Sequence, residues 1–237
     1  MLERKLPVIE VCGPTIQGEG PLIGRQTYFV RLGGCDYRCS WCDSLFAVLP
    51  DEVEKNSTKM TVAQIRKELA GLPGAAPWVT ISGGNPCIFD LEELIHALRA
   101  FKRYKVAIET QATIRPPWLK YCDQIVLSPK PPSSGMETNW EHLGEFMSYS
   151  QAILKVVVFS KDDYHYAKQV HMLFPWVPFY ISIGTSTSPW LSVSELRNDI
   201  LDRLDCLVNL NFEDDVMRDV TILPQLHVLM YGHRRGV

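Results

Sequence analysis

The sequence is organised around a cysteine-rich loop, Cys35-Asp36-Tyr37-Arg38-Cys39-Ser40-Trp41-Cys42-Asp43-Ser44. Three residues separate its first two cysteines and two separate the last two, and a strand-like run at residues 26–32 precedes the loop. Zinc sites usually offer four ligands in two separated pairs. Three thiolates suit a cubane iron–sulfur cluster in which one iron stays open to a ligand that is not protein. The loop therefore indicates a reactive cluster.

The composition is that of an ordinary globular protein, because 46% of the 237 residues are hydrophobic and 22% are charged. A formal net charge of −3 gives no basic field, so we expect no nucleic-acid partner. Seven cysteines, three of them in one loop, do not look like a disulfide framework. No run reaches the roughly 18 apolar residues of a membrane helix, and no secretory h-region follows Met1. We therefore expect a cytoplasmic protein without membrane contact.

Strand-like runs alternate with helical patterns along the chain. The runs are residues 6–11, 26–32, 78–82, 105–109, 124–128, 151–159 and 177–183, and residues 220–227 look like a short strand and turn. Helix starts are indicated by capping residues at Thr61, Asp90, Ser160 and Ser192, and a further helix is expected around residues 139–149. The six strands from 26–32 to 177–183 alternate with helices, and they predict parallel βα units that curl into a partial or full barrel. We expect an α/β fold, a single domain over residues 1–237 with a partial (β/α) barrel of about six parallel strands.

Polar residues cluster at or just past the carboxyl ends of these strands. They are Arg31, the loop cysteines, residues 82–84, Glu109, residues 128–130 and residues 182–184. Ligands bind at that edge in parallel α/β folds, so we expect one shared active site. A glycine-rich segment, residues 13–21, either approaches a ligand closely or only connects two strands; the residues alone favour neither interpretation.

The cysteine spacing, followed by Gly83-Gly84-Asn85-Pro86 after the next strand, resembles the radical S-adenosylmethionine superfamily. Within it, the chain is similar to the 7-carboxy-7-deazaguanine synthases of queuosine and deazapurine biosynthesis. The motifs that carry this resemblance are residues 17–20, Arg31, residues 42–44, residues 82–86, residues 128–130 and residues 224–227. The resemblance covers nearly the whole chain.

The resemblance implies a fold of the radical S-adenosylmethionine type and a ring contraction. A [4Fe-4S] cluster on Cys35, Cys39 and Cys42 reduces S-adenosylmethionine, and the resulting 5′-deoxyadenosyl radical removes hydrogen from C6 of 6-carboxy-5,6,7,8-tetrahydropterin. The ring contracts, ammonia is lost, and S-adenosylmethionine is regenerated. The protein mainly orients the reactants and excludes water, because the cofactors carry the hard chemistry.

The resemblance also implies roles for individual residues. The substrate contacts are Ile16, Gln17, Gly18, Arg31, Ser82 and His227, with Arg31 on the pterin carboxylate. The cofactor contacts are Trp41, Cys42, Asp43, Gly84, Glu109, Ser128, Pro129, Lys130 and Ser182. A Mg²⁺ ion is expected on Ser44. The expected partners are the pterin, an electron donor such as flavodoxin or ferredoxin, and a second copy of the chain in a homodimer.

Two positions depart from the pattern. Asn85 stands where the superfamily usually has glutamate, so a neutral carbonyl replaces an anion that would face the cofactor amine. Ser44 stands where other members have threonine, which keeps the oxygen but loses the methyl group that restricts its rotamer. We expect cofactor affinity or orientation to differ at the first position.

Two other functions compete with this interpretation. A small glycyl-radical-activating enzyme shares the cysteine loop but needs neither residues 17–20 nor Ser44. A zinc-binding interaction module would use the three cysteines with a histidine or aspartate, and it predicts one zinc and no iron. We expect His233, Arg234 and Arg235 to form a solvated basic tail.

Overall fold

The structure is a computed structural model that describes residues 4–101, 104–186, 188 and 191–236. Within this part of the chain, nine strands form one sheet in the order β3-β1-β2-β4-β5-β6-β7-β8-β9. The strands are β1 Leu6–Ile16, β2 Gln26–Leu32, β3 Thr58–Met60, β4 Trp78–Gly83, β5 Lys105–Thr110, β6 Gln124–Leu127, β7 Ala152–Val158, β8 Phe179–Ile183 and β9 Thr221–Leu223.

Seven of these strands are parallel, from β2 through β4 to β9. At one edge β1 pairs antiparallel with β2, and β3 pairs antiparallel with β1. The predicted α/β fold with a mostly parallel sheet is confirmed, although the short β9 raises the number of parallel strands above six. Strand β3 was not predicted because its three residues carry no hydrophobic alternation, and two of them are exposed.

The sheet is curled rather than flat. Seven strand spacings separate β1 from β9, so a flat sheet would hold them about 34 Å apart. The backbone N–H of Leu226, just after β9, nevertheless donates to the carbonyl oxygen of Gly18, just after β1, at 3.0 Å. The loops therefore join the two sides of a partial barrel.

The described helices are α1 Pro50–Asn56, α2 Val62–Gly71, α3 Glu92–Ala100, α4 Trp140–Glu145, α5 Lys161–Leu173, α6 Val193–Phe212 and α7 Leu226–Tyr231. Complete capping boxes start three of them, at Thr61, Ser160 and Ser192, as predicted. The first helix, α1, buries no residue and so has no amphipathic pattern to reveal it. None of the helices in the described ranges is long and apolar enough to cross a membrane.

The core lies where the helices cover the parallel strands. Strand β7 is buried at all seven positions, as expected for a central parallel strand with both faces covered. One of those positions is Lys155, whose charge must therefore be paired inside the protein.

The start of α5 also fixes a loop that belongs to the site. The carboxylate of the fully buried Asp163 accepts hydrogen bonds from three backbone N–H groups, those of Phe159 at 2.8 Å, Ser160 at 3.2 Å and Ser133 at 3.1 Å. Ser133 in turn contacts the cysteine loop, because its hydroxyl accepts from Trp41 Nε1 at 2.9 Å. Asp163 thus links the start of α5 to the end of β7 and to the loop after β6.

We predict that Asp163→Ala lowers the free energy of unfolding of the metal-free protein by about 2–3 kcal/mol, because it leaves buried N–H groups without an acceptor. Urea unfolding measures the change. The matched control is Asp162→Ala, since Asp162 is exposed in the same helical turn. An equal effect of both substitutions would contradict the anchoring role of Asp163.

Candidate active site

A cavity of about 300 Å³ opens at the carboxyl edge of the parallel strands. It gathers most of the residues that the sequence singled out, and the structure places there Ile16, Gln17, Gly18, Arg31, Trp41, Asp43, Ser44, Ser82, Gly84, Glu109, Ser128, Lys130 and His227. Cys42 and Pro129 do not line the cavity but are flanked in the chain by residues that do. Cys35 and Ser182 lie beside the lining residues Gln111 and Val157, and Cys39 belongs to the same loop as Trp41. The roles of these residues stay predictions.

The glycine-rich segment lines the cavity rather than merely connecting two strands. A Cβ atom on Gly18 would lie 2.1 Å from Nδ1 of His227, so only glycine allows this close approach. Next to it, Gln17 Nε2 donates to Glu109 Oε1 at 3.0 Å, and the Gln17 side-chain oxygen accepts from the backbone N–H of Glu19 at 3.2 Å. The segment is held on both the β5 side and the α7 side.

A buried ion pair between Glu19 and Lys155 crosses the floor of this cavity. The other carboxylate oxygen of Glu19 accepts from Gln225 Nε2 at 2.6 Å, and Gln225 accepts from the Thr185 hydroxyl. Burial alone would raise the pKa of Glu19, but the charge of Lys155, together with smaller effects that include the hydrogen bonds from Lys155 and Gln225, lowers that pKa to about 2. The carboxylate in turn raises the pKa of Lys155 against the effect of burial. Both groups are therefore charged.

Arg31 lies near the end of β2, and one edge of its guanidinium is already hydrogen-bonded within the protein. Its Nε donates to Glu10 Oε1 at 2.7 Å. Burial would lower the pKa of Arg31, but the hydrogen bond and charge of Glu10 raise it. No hydrogen bond from the two terminal nitrogens of Arg31 occurs within the described ranges. Arg31 lines the cavity, so that free edge can offer a carboxylate the fork geometry that carboxylates prefer.

The cysteine loop is pinned to the segment after β6. Ser40 donates its backbone N–H to Ser134 O at 2.9 Å and its hydroxyl to Ser133 O at 2.6 Å. Trp41 stacks against Phe159, with ring centroids 4.9 Å apart. The loop that carries the cysteines is thereby fixed to the barrel on its outer side.

The cysteines fit a cluster better than a single metal ion. All three are free and half-buried, and burial raises the pKa of Cys42 to about 11 and that of Cys39 above its usual value. In the part of the chain that the structure describes, no three His, Cys, Asp or Glu side chains are arranged to hold one ion. A cubane spreads its three thiolates over three irons. The sulfur of Cys35 also accepts from the backbone N–H of Tyr37 at 3.4 Å.

Oxygen ligands for a hard cation lie next to this loop. The Ser44 hydroxyl donates to Asp43 Oδ1 at 2.8 Å, so its lone pairs remain available on the cavity side. Ser82 Oγ is buried without a hydrogen-bond partner within the described ranges, and its residue lines the same cavity. Such unpaired groups are stabilised when a polar ligand binds.

On the β6 side, the buried Lys130 donates to Ser128 Oγ at 3.1 Å and lies 5.8 Å from the centroid of the Trp41 ring. Burial lowers the pKa of Lys130. Ser182 Oγ, at the end of β8, is buried and has no hydrogen-bond partner among the described residues. Ser128 and Lys130 thus give this side of the cavity a polar wall.

Comparisons with known proteins identify the family. No protein-family model matches the chain. The 7-carboxy-7-deazaguanine synthase of Bacillus subtilis (strain 168) is 40% identical to it, covering 100% of both chains. That of Bacillus cereus is 38% identical, covering 98% of this chain and 99% of the relative. The chain belongs to the 7-carboxy-7-deazaguanine synthase family.

Solved structures agree on the fold of this 7-carboxy-7-deazaguanine synthase family member. The crystal structure of QueE from Escherichia coli superposes with a TM-score of 0.69 at 21% identity, covering 94% of this chain and 95% of that one. Streptococcus suis SuiB bound to S-adenosylmethionine gives a TM-score of 0.50 at 14% identity, covering 83% of this chain and 50% of that one. The chain is a radical S-adenosylmethionine enzyme, and its cofactors are a [4Fe-4S] cluster and S-adenosylmethionine.

The side-chain carbonyl of Asn85 is not free to face the cofactor amine, contrary to the expectation from the sequence. The residue is fully buried, and its side-chain oxygen already accepts from Thr110 Oγ1 at 2.9 Å and from the backbone N–H of Cys87 at 3.1 Å. A carbonyl oxygen has two lone pairs, so none remains for a ligand. The cofactor amine must find its acceptor elsewhere.

Several residues of the synthase site were not assigned a role from the sequence. The basic tail is exposed, as predicted, but it also borders the cavity, and the Arg235 guanidinium lies 3.8 Å from the centroid of the Phe46 ring. Glu10, Glu19 and Gln225 were also missed. The role of Lys155 could have been predicted from the sequence, because a lysine inside an apolar strand needs a buried partner of opposite charge.

We predict that Lys155→Met destabilises the metal-free synthase by about 3–5 kcal/mol, because the Glu19 carboxylate stays buried without its cation. The double variant Glu19→Gln with Lys155→Met should recover most of that loss, since no charge is left unpaired. Urea unfolding of the wild type, both single variants and the double variant gives the coupling free energy. A double variant as unstable as Lys155→Met would show that the pair does not act as a unit.

Proposed function

We propose that this chain converts 6-carboxy-5,6,7,8-tetrahydropterin to 7-carboxy-7-deazaguanine with loss of ammonia, as a lyase of queuosine biosynthesis. The observation that carries the proposal is one cavity that is lined both by Trp41, Asp43 and Ser44 of the cysteine loop and by the segment Ile16 to Glu19. The full-length identity to named synthases supports the same reaction. A glycyl-radical-activating enzyme would have no use for that segment.

The cluster site is formed by Cys35, Cys39 and Cys42. With S-adenosylmethionine bound, the cluster supplies the radical that removes hydrogen from C6 of the pterin. Trp41, Asp43, Gly84 and Glu109 lie on the cavity wall where they orient that cofactor. On the far side we assign the same task to Ser128, Lys130 and Ser182, which present hydroxyl groups and an ammonium group, and to Pro129 between the first two. These residues position the reacting atoms and exclude water.

The substrate site lies opposite, between β2 and α7. Arg31 binds the pterin carboxylate through the edge of its guanidinium that Glu10 leaves free. Ile16, Gln17 and Gly18 contact the pterin edge, and His227 closes over it from the start of α7. The unpaired hydroxyl of Ser82 gains a hydrogen-bond partner when the substrate binds.

Ser44 would hold a Mg²⁺ ion, with the substrate carboxylate and water supplying its other oxygen ligands. Magnesium takes few protein oxygens and retains several waters, so one hydroxyl beside the Asp43 carboxylate is sufficient. The ion then neutralises charge next to the Arg31 pair.

The enzyme works in the cytoplasm as a homodimer and takes electrons from a flavodoxin or ferredoxin. All seven cysteines are free, which suits a reducing compartment. Large apolar side chains are exposed after α5 and at the end of α6, with Trp176 69% and Phe212 80% exposed. Such side chains are candidates for an interface between two copies. Light scattering at several protein concentrations tests the dimer.

The decisive experiment is anaerobic incubation of the reconstituted enzyme with 6-carboxytetrahydropterin, S-adenosylmethionine, Mg²⁺ and a reductant. We expect brown protein with about four irons per chain, 7-carboxy-7-deazaguanine as product and no net consumption of S-adenosylmethionine. Stoichiometric zinc without iron would support the zinc module instead. An intact cluster without deazapurine formation would reject the proposed reaction.

We predict that Arg31→Ala weakens pterin binding about 30-fold, which corresponds to about 2 kcal/mol for a lost charge-assisted contact. The cluster absorption should not change, and Arg31→Lys should recover part of the affinity because it restores the charge. Binding is measured anaerobically by isothermal titration. The control is Arg25→Ala, since Arg25 is exposed just before the start of β2 and does not line the cavity. Loss of the cluster in Arg31→Ala would make Arg31 a structural residue.

A further inference from the structure

Asn85 connects the end of β4 to the cysteine loop. While its oxygen is used by Thr110 and Cys87, its amide nitrogen donates to Asp36 Oδ1 at 2.8 Å and to Thr113 Oγ1 at 3.1 Å. Its backbone N–H donates to Gly34 O at 2.7 Å. All four hydrogen-bonding positions of the side chain are occupied in a site without exposed surface. These contacts fix the orientation of the Asn85 side chain, so that its amide nitrogen donates to Asp36.

Gln111 approaches the same carboxylate from the end of β5. Its Nε2 donates to Asp36 Oδ1 at 2.6 Å and lies 3.5 Å from the sulfur of Cys35. Gln111 is 7% exposed and lines the cavity. Two amides therefore meet on one oxygen of Asp36, and the second of them also contacts the sulfur that carries the cluster.

We propose that Asn85, Asp36 and Gln111 act as one positioning unit for Cys35. Asn85 fixes the Asp36 carboxylate, and that carboxylate holds the Gln111 amide so that an N–H points to the Cys35 sulfur. The inference rests on the proposed function only in that Cys35 ligates the cluster. Gln111 is then a determinant of the reduction potential, because hydrogen bonds to cluster sulfurs stabilise the more negative, reduced state.

This unit also explains why a neutral amide suits position 85. A carboxylate there would face the Asp36 carboxylate across a hydrogen-bond distance with no proton between them. Two like charges this close repel each other, and the carboxylate at position 85 would also be fully buried, although Asp36 itself is exposed. The single negative charge of this part of the site belongs to Asp36, and Asn85 is its matched donor.

The test is an exchange of the two side chains. Asn85→Asp creates two facing carboxylates, and we expect it to retain less than half of the wild-type iron after anaerobic reconstitution. Asp36→Asn keeps an acceptor oxygen and should load normally. The double variant Asn85→Asp with Asp36→Asn restores a donor–acceptor pair in the opposite direction, so its iron content should return to near the wild-type value.

Retained iron in Asn85→Asp, or a double variant as poor as Asn85→Asp while Asp36→Asn loads normally, would overturn the matched pair. Urea unfolding of the metal-free proteins shows whether the swap also restores folding stability. None of these measurements uses the pterin. A wild-type protein that loads its cluster but forms no deazapurine would reject the proposed function and leave this inference standing.

The role of Gln111 has its own readout. We expect Gln111→Leu to keep the cluster but shift its midpoint potential, measured by redox titration followed by electron paramagnetic resonance, to a more negative value. Gln169→Leu, on the exposed side of α5, is the matched control and should not shift the potential. An unchanged potential in Gln111→Leu would show that its N–H does not act on the cluster sulfur.

Discussion

The site depends on how closely the ends of β2 and β4 approach each other. A Cβ atom on Gly84 would lie 2.1 Å from Gly34 O, and one on Gly83, where φ is +144°, would lie 2.0 Å from Leu32 O. Both contacts are with backbone that cannot move aside. The gap closes through hydrogen bonds from Gly84 N to Leu32 O at 3.1 Å and from Asn85 N to Gly34 O at 2.7 Å. The first cysteine is thus fixed against the end of β4 by the backbone.

A second constraint is the burial of charge in the cavity. Glu19 and Lys155 lie 136 residues apart in the chain and are brought together from opposite sides of the sheet. Removing two charges from water is unfavourable unless geometry and further hydrogen bonds compensate, and Gln225 supplies one of those bonds. The pair therefore contributes less to net stability than to specifying how the β1 loop, β7 and α7 meet. A cavity specified in this way needs little rearrangement to orient its reactants.

Features formed by residues close together in the sequence could be predicted, and contacts between distant segments could not. The capping boxes at Thr61 and Ser160 and the apolar runs of the parallel strands involve neighbours within a few residues, and the structure contains them. The three cysteines and Gly83-Gly84 are equally local, and they led to the family. The contacts of Glu19 with Lys155 and of Arg235 with Phe46 join distant segments, so no local pattern encodes them. The α1 helix escaped detection because it packs no apolar face.

At position 85 the sequence motif determines the backbone conformation but not the side chain. The motif fixes the backbone, since the glycines before Asn85 are required by the approach to β2 whatever side chain follows. Which side chain suits position 85 depends on the groups around it. Here those groups are Asp36 and Gln111, which come from two other segments of the chain. Because the Asp36 oxygen accepts from both amides, a residue that donates is required at position 85 as long as residue 36 is an aspartate. A change at either position alters the electrostatic environment of Cys35, so the two residues must be considered together when cluster properties are compared.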